Sequence, residues 1–196
     1  IIDYAVLNDK KLKAKSMFDK EFLDELSTNS PAPGGGSVAA LSGSLGASLS
    51  SMVAALTHEK KEMLKSKPLM DEIGVEAQSL KDRLSDLIEK DTKAFNSVIA
   101  AMRLPQNTKE EKVYRETAIQ TANKYAIEIP METAEKCFRV MKLSEKLVEN
   151  GNPNSVSDAG VAAEVALAGV RGAGMNVMIN LSGLEDSSYV EDTQNK

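Results

Sequence analysis

From Ile73 onward the chain repeats apolar residues at alternating steps of four and three: Ile73, Ala77, Leu80, Leu84 and Leu87. That is the period of one buried helical face. The spacing predicts a helix from about Asp71 to Arg103, ended by Pro105. Before it, the segment from Ser37 to Thr57 carries no charge and consists almost wholly of Ala, Ser, Gly, Leu and Val. It is predicted as a second helix, entered from Pro31, Pro33 and the triple glycine Gly34–Gly36. Ser16 opens a shorter one, with Phe18, Phe22 and Leu26 on one face. Thr108 and Glu111 have the spacing of a capping box, and start a helix that meets Pro130. There it either kinks or begins anew. Asn150 and Gly151 stop it. A last helix, again rich in Ala and Gly, is expected from about Asp158 to Leu181. No stretch alternates with the period of a strand. The expected fold is all-α: an orthogonal or antiparallel bundle of five to six helices around small-residue central helices. Residues 1–15 form an N-terminal extension to a single domain over 16–196.

Composition narrows the picture. Aromatic residues are only 4% of 196 and Trp is absent, which favours helix over sheet. A formal charge of −5 argues against a general nucleic-acid partner. The single cysteine, Cys137, excludes an internal disulfide and a cysteine-cluster metal site, so no metal is expected. The uncharged run is long enough to cross a bilayer. The five serines between Val38 and Leu56 and the few large apolar residues favour the centre of a bundle instead, and no membrane is expected. With no secretory leader visible, the expected compartment is the cytoplasm.

Two seams carry polar residues. In the Ile73–Leu87 series the next step lands on Asp91, and the seam resumes with Ala94, Val98 and Ala101 or Met102. An unpaired ionised carboxylate among apolar neighbours is costly. Either Asp91 pairs with a cation or caps a neighbouring helix, or the seam opens there into a pocket that tunes it for acid–base work. On the last helix Val165, Gly169, Gly172, Asn176 and Asn180 share one stripe. The two amides either join helices or read the edge of a heterocycle. The backbone of Gly34, Gly35, Gly36 and Ser37, at a helix start, offers free N–H groups. It lacks the lysine of a phosphate-binding loop and the preceding strand of a dinucleotide site. Lys60 and Lys61, beside the lone His58, form a patch suited to an acidic tail.

These residues resemble a family. SPAPGGGSVAAL at 30–41, EKDTKAF at 89–95, AMRLPQNTKEEK at 101–112, Ile129-Pro130, GNPNSVSD at 151–158 and NVMINL at 176–181 are similar, in order, to the formiminotetrahydrofolate cyclodeaminase family, which includes methenyltetrahydrofolate cyclohydrolases. The resemblance implies a helical homodimer that binds folate, with or without a polyglutamate tail, in a cleft near the subunit interface. It needs no cofactor beyond that substrate. It implies conversion of 5-formiminotetrahydrofolate to 5,10-methenyltetrahydrofolate and ammonia, or alternatively interconversion of the methenyl and 10-formyl forms. The family's catalytic aspartate, in a motif like DxDAxAF, falls on Asp91, with Glu89 in place of the first acid. The Gly34–Ser37 backbone with Asn176 and Asn180 would position the pterin and the one-carbon group. Lys60 and Lys61 would meet the glutamate tail. The rival from another class is a non-catalytic helical dimer scaffold, which must treat Asp91 as a structural group. Family members also carry a further C-terminal helix, expected here to be short or absent.

Overall fold

The computed structural model describes residues 20–195, and every regular element among them is helical. Ser16 and Phe18, placed on the first helix from sequence, lie outside the described residues. The chain divides into two compact units, residues 1–31 and Ala32–Lys196. Within the first, α1 is the short helix Glu21–Leu26.

The second unit is built on four long helices: α2 (Gly35–His58), α3 (Lys67–Met102), α4 (Lys109–Asn150) and α5 (Val156–Leu181). A short α6 (Ser187–Gln194) follows. Between α2 and α3, the lysine-rich break forms a 3-10 segment at Lys61–Ser66, and α3 starts four residues earlier than the seam alone suggested. Thr108 caps α4 with the reciprocal Glu111 bond of a capping box. Pro130 does not end α4, which continues through it for 42 residues.

Cross-helix bonds fix the directions. Arg83 forks onto Glu132 and Arg139 onto Glu76, so α3 and α4 run antiparallel. Ser37 reaches Asp91 and Ser44 reaches Ser85, so α2 and α3 do as well. Asn180 meets Ala126 and Gly169 lies against Cys137, while Gly35 lies against Asn176 and Gly46 against Ala162, which sets α5 antiparallel to both α4 and α2. The result is an up-down-up-down bundle.

Its core is continuous: Val53, Met70, Ile73, Leu84, Leu87, Val140, Leu143 and Leu147 are all essentially inaccessible. The helix α2 is long and apolar enough to span a membrane by length and hydropathy, but over half of that window is buried inside the bundle.

Small residues explain how α2 also touches α4 across the diagonal. Cys137 of α4 sits in the space that a side chain at Gly43 or Gly169 would need. A Cβ on Gly46 would stand 2.8 Å from the carbonyl oxygen of Ala162 and 3.2 Å from Val140. Burial pushes the Cys137 thiol up to about 12, so it stays protonated and unreactive. The Ala/Ser/Gly run therefore makes a helix thin enough for three others to close around it.

Gly46→Leu is expected to destabilise the fold, because backbone cannot yield as a side chain can. Overpacking of this kind costs about 1–3 kcal/mol. A thermal melt checks it, and an unchanged midpoint would mean that the α2–α5 contact is looser than described.

Candidate active site

The N-terminus of α2 is the point where the sequence-predicted residues converge. Gly34 is its N-cap and supplies no side-chain cap. The carboxylate of Asp91, from the middle of α3, takes that place from a neighbouring helix. Ser37 Oγ donates to Asp91 Oδ2 at 2.9 Å, and the Ser37 backbone N–H also favours the ionised acid. A Cβ on Gly36 would collide with Asp91 Oδ1 and stand 2.6 Å from its Cγ, so only glycine admits the carboxylate here. On the other side, a Cβ on Gly35 would be 3.4 Å from Asn176 Nδ2. Gly35, Gly36, Ser37, Asp91 and Asn176 thus form one cluster at one end of the bundle.

Two opposed effects act on Asp91. Desolvation is the larger and raises its pKa, while the hydrogen bonds from Ser37 lower it; the net direction is up. Among the described residues no cation offsets the burial. The sequence left helix capping and a tuned acid as alternatives, and both descriptions fit the geometry: Asp91 caps α2 and still holds its proton more tightly than an ordinary aspartate.

The seam itself stays buried past this residue, Ala94 and Ala101 being 2% and 7% exposed, but the adjoining stripe Asp91, Phe95, Val98 and Met102 emerges from the bundle, with Phe95 37% and Met102 47% exposed. The cause is the start of α2 at Gly35, opposite Asp91, which leaves the last three turns of α3 uncovered by it. Asp91 therefore stands at the foot of an apolar wall of Phe95, Val98 and Met102. The sequence reading passed over this wall because the seam continues unbroken; the length of α2 is the signal that marks where its cover ends.

Other expected members lie elsewhere. Lys60 and Lys61 follow the far end of α2. Its 24 residues rise about 36 Å. A ligand at Asp91 would have to span that length to reach these lysines within one chain. His58, at the same far end, pairs with Asp71 at 3.3 Å. A cavity of about 510 Å³ lies there, lined by Ser51, His58, Met70 and Asp71. Another of about 630 Å³ lies between α3 and α4, lined by Leu104, Tyr114 and Tyr125. Neither includes Asp91.

Asn180 is engaged in structure. Pro130 has no N–H, which frees the carbonyl of Ala126 one turn back. Asn180 Nδ2 donates to that oxygen at 2.7 Å. Asn176 Nδ2 donates to Gly172 of its own helix at 2.8 Å, leaving its Oδ1 beside Gly35. Of the two amides, Asn176 belongs to the cluster and Asn180 repairs α4. The GNPNSVSD segment is likewise structural, with Asn152 N–H donating to buried Thr57 Oγ1 at the opposite end. Among the described residues no group of three or more His, Cys, Asp or Glu could hold a metal ion.

A chain whose described residues are helical, with a tuned carboxylate at a helix N-terminus, has known relatives. Residues 19–196 match the formiminotransferase-cyclodeaminase family, and the chain belongs to it. It is 42% identical over 171 residues to methenyltetrahydrofolate cyclohydrolase of Methylorubrum extorquens, covering 87% of this chain and 82% of that one. It is 34% identical over 177 residues to formimidoyltransferase-cyclodeaminase of Rattus norvegicus, covering 90% of this chain but 33% of the rat protein. The crystal structure of formiminotetrahydrofolate cyclodeaminase from Thermotoga maritima superposes with a TM-score of 0.81 at 30% identity, over 92% of this chain and 86% of that one.

The assignment of Asn180 has a direct check. Asn180→Ala leaves a buried carbonyl unpaired, which costs about 1–3 kcal/mol. Adding Pro130→Ala restores an N–H to Ala126 and is expected to recover stability in a melt. If the double variant is no more stable than Asn180→Ala alone, the carbonyl is not what Asn180 serves.

Proposed function

We propose that the chain is a folate one-carbon enzyme that works at the carbon between N5 and N10 of tetrahydrofolate, with Asp91 as its acid–base group. The observation that carries this reading is the half-buried Asp91 carboxyl, raised in pKa by desolvation and set at the foot of an apolar wall. A proton shuttle works best when its pKa approaches the working pH.

The favoured reaction is hydrolysis of 5,10-methenyltetrahydrofolate, because the relative at 42% identity is a cyclohydrolase matched over most of both chains. Water adds to the cationic methenyl carbon as Asp91 takes one of its protons. Asp91 then gives that proton to N5 as the C–N5 bond breaks. The second proton of the water is released, and the formyl group stays on N10. The second reading, cyclodeamination, rests on the Thermotoga structure and the rat protein. There N10 would attack the formimino carbon, Asp91 would accept the N10 proton, and the same proton would leave with ammonia. Both pass through a tetrahedral adduct at one carbon, so one carboxyl serves either. Asn176 Oδ1 and the N–H groups of the glycine turn are suited to the polar edge of the pterin. Phe95 and Met102 are suited to its ring faces.

The working unit in this reading is a homodimer. The outer face of α2 is uncharged and uncovered: Leu45, Met52 and Leu56 are 52%, 39% and 42% exposed along one stripe, with Leu41 and Leu49 half-buried beside them. A second copy of the same face would cover it. The lysines at 60 and 61 then belong to a tail site if the partner subunit brings them near.

Asp91→Asn keeps an oxygen for the Ser37 hydroxyl but cannot exchange a proton at neutral pH. Turnover, followed by the methenyl absorbance and by ammonia release, is expected to fall about 10²–10⁴-fold, with the fold intact. Activity within a fewfold of the parent would remove Asp91 from the mechanism. Leu45→Glu is expected to convert a dimer to monomer in light scattering; a parent protein that is monomeric at micromolar concentration contradicts the α2 interface.

A further inference from the structure

We propose that Ser37 is a positioning residue for Asp91: its buried side chain holds one carboxylate oxygen in place through both halves of a proton transfer. The proposal rests on the acid–base reading of Asp91 above and concerns a residue that sequence would give to the substrate. Ser37 is fully buried, at 0% exposure, so it touches Asp91 and not the ligand.

Three oxygens surround Ser37 Oγ. Asp91 Oδ2 lies at 2.9 Å, the carbonyl of Ile88 at 3.1 Å and Thr92 Oγ1 at 3.3 Å. A serine hydroxyl has one proton and two lone pairs, and its rotor is free to choose. When Asp91 is ionised, Ser37 donates to Oδ2. When Asp91 carries a proton on Oδ2, it donates to Ser37 Oγ, and the serine proton turns to the Ile88 carbonyl. Each state is fully bonded, and the switch needs only a rotation about one C–O bond. The carboxyl therefore gains and loses a proton without moving. Gly36 supports this from below, since no side chain stands between α2 and the acid.

The charged groups on the surrounding helices leave that switch to the hydroxyl. On α3, Glu89 pairs with Lys93, and Lys90 lies toward Glu132 of α4. Also on α4, Lys124 pairs with Asp186. On α2 no charge occurs from Ser37 to Thr57, and on α5 none occurs from Gly172 to Asn180. The hydrogen bonds from Ser37 are what oppose the upward pull of burial on Asp91.

The test uses the full chain with 13C-labelled aspartate carboxyls, the Asp91 signal being assigned by its loss in Asp91→Asn. In Ser37→Ala the Asp91 titration is expected to move to higher pH, and the acidic limb of kcat/KM to move with it. The kcat is expected to fall roughly tenfold, the loss of one hydrogen bond to a charged group, with KM little changed. Ser37→Cys, of similar volume and weaker donor strength, is expected to lie between and covers the case in which alanine does not fold. An unmoved Asp91 titration, or a raised KM at unchanged kcat, overturns the proposal. Failure of the catalytic reading shows separately, as turnover retained in Asp91→Asn, because the carboxyl titration reads Ser37's effect whether or not Asp91 is the catalyst.

Discussion

Close approach of helices to α2 is the constraint on which the rest of the molecule depends. Three helices pack around it, and at Gly43 and Gly46 their atoms occupy space that any side chain would need. The same constraint reaches the end of the helix. At Gly36 the group that comes in is not a methyl or a carbonyl but the carboxylate of Asp91. A helix made of small residues is thus both the packing centre and the floor of the site. Of the three glycines at its start, Gly36 serves approach rather than flexibility, since a Cβ there would meet Asp91 and its φ is not positive.

Seating a carboxylate at that point joins two demands that usually conflict. The N-terminus of a helix favours negative charge, through its free N–H groups and its dipole. Burial disfavours it. Here burial prevails and the net direction is upward. A solvated N-cap aspartate would be an ordinary acid, and a fully desolvated one would not ionise. Asp91 lies between, with a hydroxyl that accepts or donates as its state requires.

Much of this was legible in the sequence, and the rest was not for identifiable reasons. The four-three seam located α3 and singled out Asp91, because a charge on an apolar face is conspicuous in a single helix. The capping box at Thr108 and the stop at Gly151 are local chemistry and appear as read. Asn180 was ambiguous because its partner, Ala126, lies 54 residues away. Pro130 was the available signal: a proline inside a helix frees a carbonyl, and something must answer it. Lys60 and Lys61 were assigned to a glutamate tail through the family resemblance, and the 24-residue length of α2 sets them far from Asp91. Ser37 could not be placed, since whether a helix-start hydroxyl faces a ligand or a neighbouring helix is decided by packing.

The central claim is that Asp91 is held in a raised, proton-exchanging state by the fold, at some expense of stability. The folded protein then binds the Asp91 proton more tightly than the unfolded chain does. Stability from this group is full below its ordinary value of 3.8 and falls as pH climbs through the raised folded value. The measurement is denaturant unfolding of the parent and Asp91→Asn across pH. The expected result is a variant more stable than the parent near neutrality, with the gap closing as pH falls toward 3.8. A parent that is the more stable of the two at neutral pH would show that capping outweighs burial, and would contradict the account.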